Sequence, residues 1–165
     1  MAIPDFAAGA MENWGLITYR LTALIADQSS ASAAELLRVA VVVSHELVHQ
    51  TAGDLVTANW WGSLFLNEGY ATLFEFYGVN ATKPEYNVFN GFVPGDFQSA
   101  MRTDSSAATH PLVRPDVDTA AEIEEMFDDI SYAKGGTIIR MARQMILDNS
   151  PNGEAAFTAG LQTYF

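Results

Sequence analysis

The first patterned stretch of the chain is Leu16-Ile17-Thr18-Tyr19-Arg20-Leu21, where β-branched, aromatic and polar residues mix as they do in a strand. From there on the pattern is helical. Ser32-Ala33-Ala34-Glu35 has the spacing of a capping box, in which a hydroxyl and a carboxylate each satisfy a backbone N–H of the first turn. It predicts a helix that carries Leu36, Leu37 and the apolar run Val39 to Val43, is buried on most of its faces, and can close at Gly53. Asn67 suits the cap of a second helix that ends near Gly78, and Pro84 suits the first turn of a third. The third contains Gly91 and then Pro94-Gly95, so it is expected to break or kink. Residues 104–118 read as loop. Thr119-Ala120-Ala121-Glu122 is another capping box and opens a short acidic helix. A longer helix covers roughly residues 136–147, and Ser150-Pro151 starts a last one that runs to Phe165.

The pattern therefore predicts an α+β domain, mostly α, with a small β element at its N-terminal end. A chain of 165 residues has the length of one domain and can bury a real core. It shows no repeat and no low-complexity linker. It begins near a strand and stops in mid-helix, so residues 1–165 are expected to form a single domain cut from a larger chain. No apolar run approaches the roughly 20 residues of a membrane span.

Charge narrows the partners. Twenty acidic residues face eight basic ones, for a net charge of −12, and the basic residues form no stripe. Nucleic acid and anionic membrane surfaces are poor partners for such a chain. A cationic group, such as the free amine of a peptide, suits an acidic cleft. The absence of cysteine excludes disulfides, iron–sulfur clusters and cysteine zinc sites. Asn80-Ala81-Thr82 is a glycosylation acceptor triplet and tilts the expected location toward the plasma membrane or the extracellular space rather than the cytoplasm.

The chemistry is concentrated in His45-Glu46-Leu47-Val48-His49, followed nineteen residues later by Glu68. Positions i and i+4 of a helix lie on one face, so His45 and His49 can offer imidazole nitrogens to one metal. Glu46 lies about 100° further round the helix, beside the metal rather than on it. A carboxylate there can take a proton from metal-activated water, which is what peptide hydrolysis requires. Two His and one Glu form a known catalytic zinc set that leaves one coordination position open, and Glu68 in Asn67-Glu68-Gly69 is the natural third ligand. Two histidines can also sit on a helix surface without a metal. A helix this apolar, however, leaves few places for unpartnered polar groups.

Further motifs accompany the metal pattern: Gly9-Ala10-Met11-Glu12-Asn13 before it, and Asn67-Glu68-Gly69-Tyr70-Ala71 and Ser131-Tyr132-Ala133-Lys134-Gly135 after it. In this order and at these intervals the chain resembles the zinc aminopeptidases of the aminopeptidase N type, over essentially all 165 residues. The resemblance implies a thermolysin-like catalytic domain, without the β-rich domain and the long helical domain that flank it in that family. It implies one zinc ion held by His45, His49 and Glu68, with Glu46 as general base. It implies that Glu12 binds the free α-amine of a peptide, that Gly9, Ala10, Met11 and Asn13 shape the edge along which the substrate lies, and that Tyr132 donates its hydroxyl to the oxyanion. Glu75, two turns beyond Glu68, either orients a ligand histidine or is a surface carboxylate. Asp104 and His110-Pro111 read as structural, and Trp60 and Trp61 as core or domain-contact residues. The family commonly has two large aromatics where Thr51-Ala52 stand here, which removes volume behind the zinc helix.

The activity expected is that of a zinc metalloaminopeptidase removing N-terminal residues from peptides. Its alternatives are a zinc- and peptide-binding fragment without turnover, or a related hydrolysis of a lipid epoxide in the same fold, which nothing in the sequence favours.

Overall fold

The computed structural model describes residues 1–165. A small sheet comes first: β1 (Ala2–Ile3), β2 (Ala10–Met11) and β3 (Thr18–Arg20) lie in the order β1-β3-β2. β1 runs parallel to β3, pairing Ala2 with Tyr19, and β2 runs antiparallel to it, pairing Ala10 with the same Tyr19. β2 is thus an edge strand, with one side of its backbone unpaired. The chain then turns into α1 (Leu21–Leu24) and the long helices α2 (Ala33–Val48) and α3 (Phe65–Thr82).

α2 starts where its capping box predicts. The Ser32 hydroxyl accepts from the Glu35 N–H at 3.2 Å, and the Glu35 carboxylate accepts from the Ser32 N–H at 2.8 Å. The same device starts α5 (Ala120–Glu125), between Thr119 and Glu122. α3 differs from the expectation at its beginning. A short 3₁₀ turn, Trp61–Ser63, leads straight into it, so Asn67 lies inside the first turn rather than at the cap. Its side chain is thereby free for another task.

α3 is the central helix. Glu68, Ala71, Thr72, Leu73, Glu75, Phe76 and Val79 are all buried, because α2 packs on one side of it and α6 (Gly135–Asn149) on another. Leu73, Phe76, Val79, Val88, Phe92 and Ile139 form the main core; Leu64, Val117 and Met126 form a smaller one. Valines 39 and 41–43 are only half-buried, against the expectation of a helix covered on most faces. α3, α1 and β2 cover parts of α2, and the rest of its apolar surface faces solvent. The predicted third helix is broken as Gly91 and Pro94-Gly95 require: 3₁₀ turns at Pro84–Tyr86 and Val88–Gly91, a π-helical turn at Val93–Phe97, then α4 (Gln98–Asp104). A second π-helical turn, Ile130–Lys134, precedes α6, and α7 (Gly153–Tyr164) closes the fold. No helix is long and apolar enough to cross a membrane.

α3 and α6 cross backbone to backbone. A Cβ added to Gly69 would lie 2.7 Å from the carbonyl carbon of Gly135 and 2.9 Å from the nitrogen of Gly136. Gly69→Ala is therefore expected to cost about 1–3 kcal/mol by overpacking, read as a lower midpoint in urea denaturation. An unchanged midpoint would mean that the crossing can widen freely.

Candidate metal centre and substrate cavity

α2 and α3 bring three ligand-type side chains to one point. The Nε2 atoms of His45 and His49 each lie 3.2 Å from the same oxygen, Oε2 of Glu68. Ligand atoms of the three residues all fall within 4.8 Å of one another. His49 and Glu68 are buried, and His45 is half-buried.

The other ring nitrogens are also spoken for. Nδ1 of His45 lies 2.6 Å from Oε2 of Glu75. Nδ1 of His49 lies 2.8 Å from the carbonyl oxygen of Ala52 and 2.8 Å from Oδ1 of Asn67. These partners are acceptors, so each Nδ1 carries the proton of a neutral ring and each Nε2 presents a lone pair. Two lone pairs and a carboxylate oxygen then face one another in a buried spot. Such a set needs a cation. With only protons available, burial disfavours the imidazolium form of His45, yet the hydrogen bonds and charges of Glu68 and Glu75 overcome this and push its pKa up to about 10. His49 is raised in the same sense, with Glu68 outweighing burial. The Glu68 carboxyl is held down at about 2, because the two histidines outweigh its burial.

The donor set fits zinc. Ligand atoms in a tetrahedral site with bonds of about 2.0–2.1 Å sit about 3.3 Å apart, which is close to the two observed separations of 3.2 Å. The carboxylate–histidine pairing through Glu75 also resolves the two readings of that residue. It lies on α3, buried, and orients His45.

Glu46 faces the same space and is 5% exposed, and its Oε2 has no hydrogen-bond partner. Burial, the largest influence, pushes its carboxyl up to about 7 against the pull of His45 and His49. Tyr132 comes from the π-helical turn Ile130–Lys134, a local geometry that recurs at functional sites. The turn is held by Asp128, whose Oδ1 accepts from the N–H groups of Ile130 and Ser131 at 3.0 and 3.1 Å. The ring of Tyr132 stacks on that of His45, 6.0 Å between centroids and 11° from parallel. Burial first, then the negative charge of Glu68, push its phenol far above the ordinary tyrosine value, so the hydroxyl keeps its proton.

Glu12 follows directly on β2 and is nearly buried, at 9% exposure. Gln50, just past the end of α2, donates to the Glu12 backbone carbonyl at 2.9 Å and anchors the strand to the helix. A cavity of about 840 Å³ joins Glu12 to His45, Glu46, His49, Glu68 and Tyr132. Carboxylates line it at Glu12, Glu46, Asp54, Glu68 and Glu124, and no Lys or Arg does. A second cavity of about 630 Å³ continues past His45, Glu46 and Tyr132 to Asp96, Arg102 and Asp129. Ala10 borders both cavities, Met11 the first and Gly9 the second. Asn13 borders neither: its amide donates to Thr18 Oγ1 at 2.9 Å and closes the turn between β2 and β3.

The residues read as structural behave so. Lys134 and Thr109 both bond Oδ1 of Asp104 at 2.7 Å, and His110 Nε2 lies 3.2 Å from Asp128, which ties residues 104–110 to the turn that carries Tyr132. Trp60 and Trp61 are not core: they are 49% and 41% exposed and border the first cavity. Two contributors escaped sequence reasoning. The carbonyl of Ala52 is a backbone group that no side-chain pattern marks, and Asn67 had a ready explanation as a helix cap.

A protein-family profile described as the peptidase family M1 domain matches residues 1–165. The chain is 45% identical to aminopeptidase N of Bos taurus over 166 residues, which cover 99% of this chain and 17% of that protein. It is 46% identical to aminopeptidase A of Gloydius brevicauda over 164 residues, 99% of this chain and 16% of that protein. It is 43% identical to the alanine/arginine aminopeptidase of Saccharomyces cerevisiae over 164 residues, 99% of this chain and 18% of that protein. The chain thus spans less than a fifth of the length of each of these relatives.

Proposed function

The chain belongs to peptidase family M1, and from that premise we propose that it is the catalytic portion of a zinc metalloaminopeptidase, thermolysin-like in its arrangement, which removes N-terminal residues from peptides. The observation that carries this reading is the placement of Glu12 in the same acidic cavity as the His45, His49 and Glu68 cluster. Glu12 Oε1 lies 4.0 Å from Nδ1 of His49, and an endopeptidase has no need of a fixed carboxylate so close to the cluster. An exopeptidase needs one to hold the positive α-amine by a charge-assisted hydrogen bond.

His45, His49 and Glu68 would hold the zinc ion, and when bound zinc supplies the Lewis acidity that polarises a peptide carbonyl and acidifies water. The chain's own residues do the rest. Glu12 accepts from the ammonium group and sets the register of the peptide. The unpaired edge of β2, bordering both cavities, offers backbone groups to an extended peptide. Glu46 takes a proton from water as its oxygen attacks the carbonyl carbon, then delivers that proton to the amine nitrogen as the C–N bond breaks. Tyr132 donates its hydroxyl hydrogen to the carbonyl oxygen as that oxygen gains negative charge. The Asn80-Ala81-Thr82 triplet, exposed at the end of α3, supports a plasma-membrane or extracellular setting.

The test compares a leucyl arylamide with its N-acetylated twin, using the purified zinc-loaded chain. We expect the free-amine substrate alone to be cleaved. Equal cleavage of both would remove the role of Glu12 and with it the aminopeptidase assignment. A folded, zinc-containing protein that cleaves neither would leave the binding fragment without turnover as the better reading.

A further inference from the structure

The side chain of Asn67 lies between the cluster and the acidic end of the cavity, and its two ends face different partners. Oδ1 is 2.8 Å from Nδ1 of His49. Nδ2 donates to Oε1 of Glu12 at 3.3 Å. The carboxamide cannot be turned round. Nδ1 of His49 also meets the Ala52 carbonyl at 2.8 Å, so that nitrogen carries a proton and requires an acceptor on the Asn67 side. The NH₂ end is then left for Glu12, which requires a donor.

The surrounding backbone is shaped to this amide. Gly53 has φ +130°, a conformation open mainly to glycine, and a Cβ there would collide with Oδ1 of Asn67. Without the amide, Oε1 of Glu12 would face His49 Nδ1 from 4.0 Å, beyond hydrogen-bond reach. Its carboxylate would then keep no side-chain partner within hydrogen-bond reach.

We propose that Asn67 is a positioning residue that links the ligand histidine His49 to Glu12, fixing one Glu12 oxygen so that the other is held ready for the α-ammonium group of a peptide. This rests on the aminopeptidase reading of the same site. The group recognised is a primary ammonium on a carbon next to a carbonyl. The register of the peptide against the metal is set by a bridge of one side chain, and the residue just before Glu68 is therefore part of substrate recognition.

The experiment is a double-mutant cycle read by equilibrium binding, so that it does not depend on turnover. Trp60 and Trp61 border the cavity and report binding by fluorescence. L-leucinamide and N-acetyl-L-leucinamide are titrated into the zinc-loaded chain as wild type, Asn67→Leu, Glu12→Gln and the double variant. Zinc content is followed by native mass spectrometry and folding by circular dichroism. Asn67→Leu is expected to weaken leucinamide binding about tenfold, the size of one hydrogen bond to a charged group. One zinc per chain should remain. In the Glu12→Gln background the same change should weaken binding less than about twofold, because the bridge then holds nothing of use. Losses that multiply in the double variant, or a Kd unmoved by Asn67→Leu, would overturn the proposal. If Asn67→Leu does not fold, Asn67→Ser takes its place in the same cycle with the same expectations. Wild-type protein that binds leucinamide and its acetylated form equally would instead sink the amine-binding reading of Glu12 itself.

Discussion

Glu46→Gln is expected to lower peptide hydrolysis by about 10²–10⁴-fold, the usual worth of a positioned acid–base group, while leaving one zinc per chain. Gln matches Glu in size and shape, so the substitution removes the proton chemistry and little else. The local structure favours this outcome. Glu46 is 5% exposed, and its Oε2 lies buried with no hydrogen-bond partner. A buried acceptor without a donor is costly, and such a group is kept where it has a task. Burial pushes its carboxyl upward from the ordinary carboxylate value, the direction that suits a group that must take a proton and then return it. Glu46 is not one of the proposed ligands His45, His49 and Glu68, so zinc content measured by mass spectrometry should not fall. Initial rates on a leucyl arylamide decide the matter. A rate within tenfold of wild type, with zinc present, would show that another group moves the proton.

What was legible in the sequence was what depends on spacing along a single helix. His45 and His49 are four residues apart, and α2 with its helical C-terminal cap residue His49 places them on one face. Ser32 with Glu35, and Thr119 with Glu122, are local pairs whose hydrogen bonds form as written. Gly91 and Pro94-Gly95 break the chain because their own backbones require it. Glu68 was reachable because the chemistry of a His-Glu-x-x-His site asks for a third ligand at a new helix start. The rest depended on what comes to lie next to what. Glu75 has the same sequence character as a surface carboxylate, and only the packing of α3 on α2 brings it 2.6 Å from His45. Asn67 read as a cap because a polar residue at an apparent helix start usually is one. The 3₁₀ turn at Trp61–Ser63 moved that start to Phe65 and freed the amide. The valines of α2 looked like a core run, yet the chain's own elements cover only part of that surface. The π-helical turn that presents Tyr132 is held by the Asp128 carboxylate, which accepts from two of its N–H groups, and by ties to His110, Asp104 and Lys134. None of these has a periodic pattern to read.

That turn leads to the second large effect. Tyr132→Phe is expected to lower kcat by about 10²–10³-fold, the cost of removing one donor to a developing oxyanion, with KM changed much less. The separation of the two constants follows from what the ring and the hydroxyl each do. The ring stacks on His45 at 6.0 Å between centroids, and a phenylalanine ring can keep that contact, so His45 and its bond to Glu75 should stay in place. The hydroxyl is what is lost. Its pKa is displaced upward by burial first and then by the nearby carboxylates Glu68, Glu12 and Glu46, so it keeps its proton at neutral pH. A phenol that cannot ionise has no role as a base, and surrounded by carboxylates it gains nothing by accepting. What it can do is give a hydrogen bond, and in the proposed reaction the group that needs one is a carbonyl oxygen on its way to bearing negative charge. That need is weak in the bound substrate and strong in the transition state, which is why the loss should appear in kcat and not in KM. Steady-state kinetics on the free-amine arylamide, with zinc content measured for each protein, make the comparison. An equal fall in zinc occupancy and in kcat would place the effect at His45 instead. A raised KM with unchanged kcat would make Tyr132 part of the substrate's binding surface rather than its oxyanion donor.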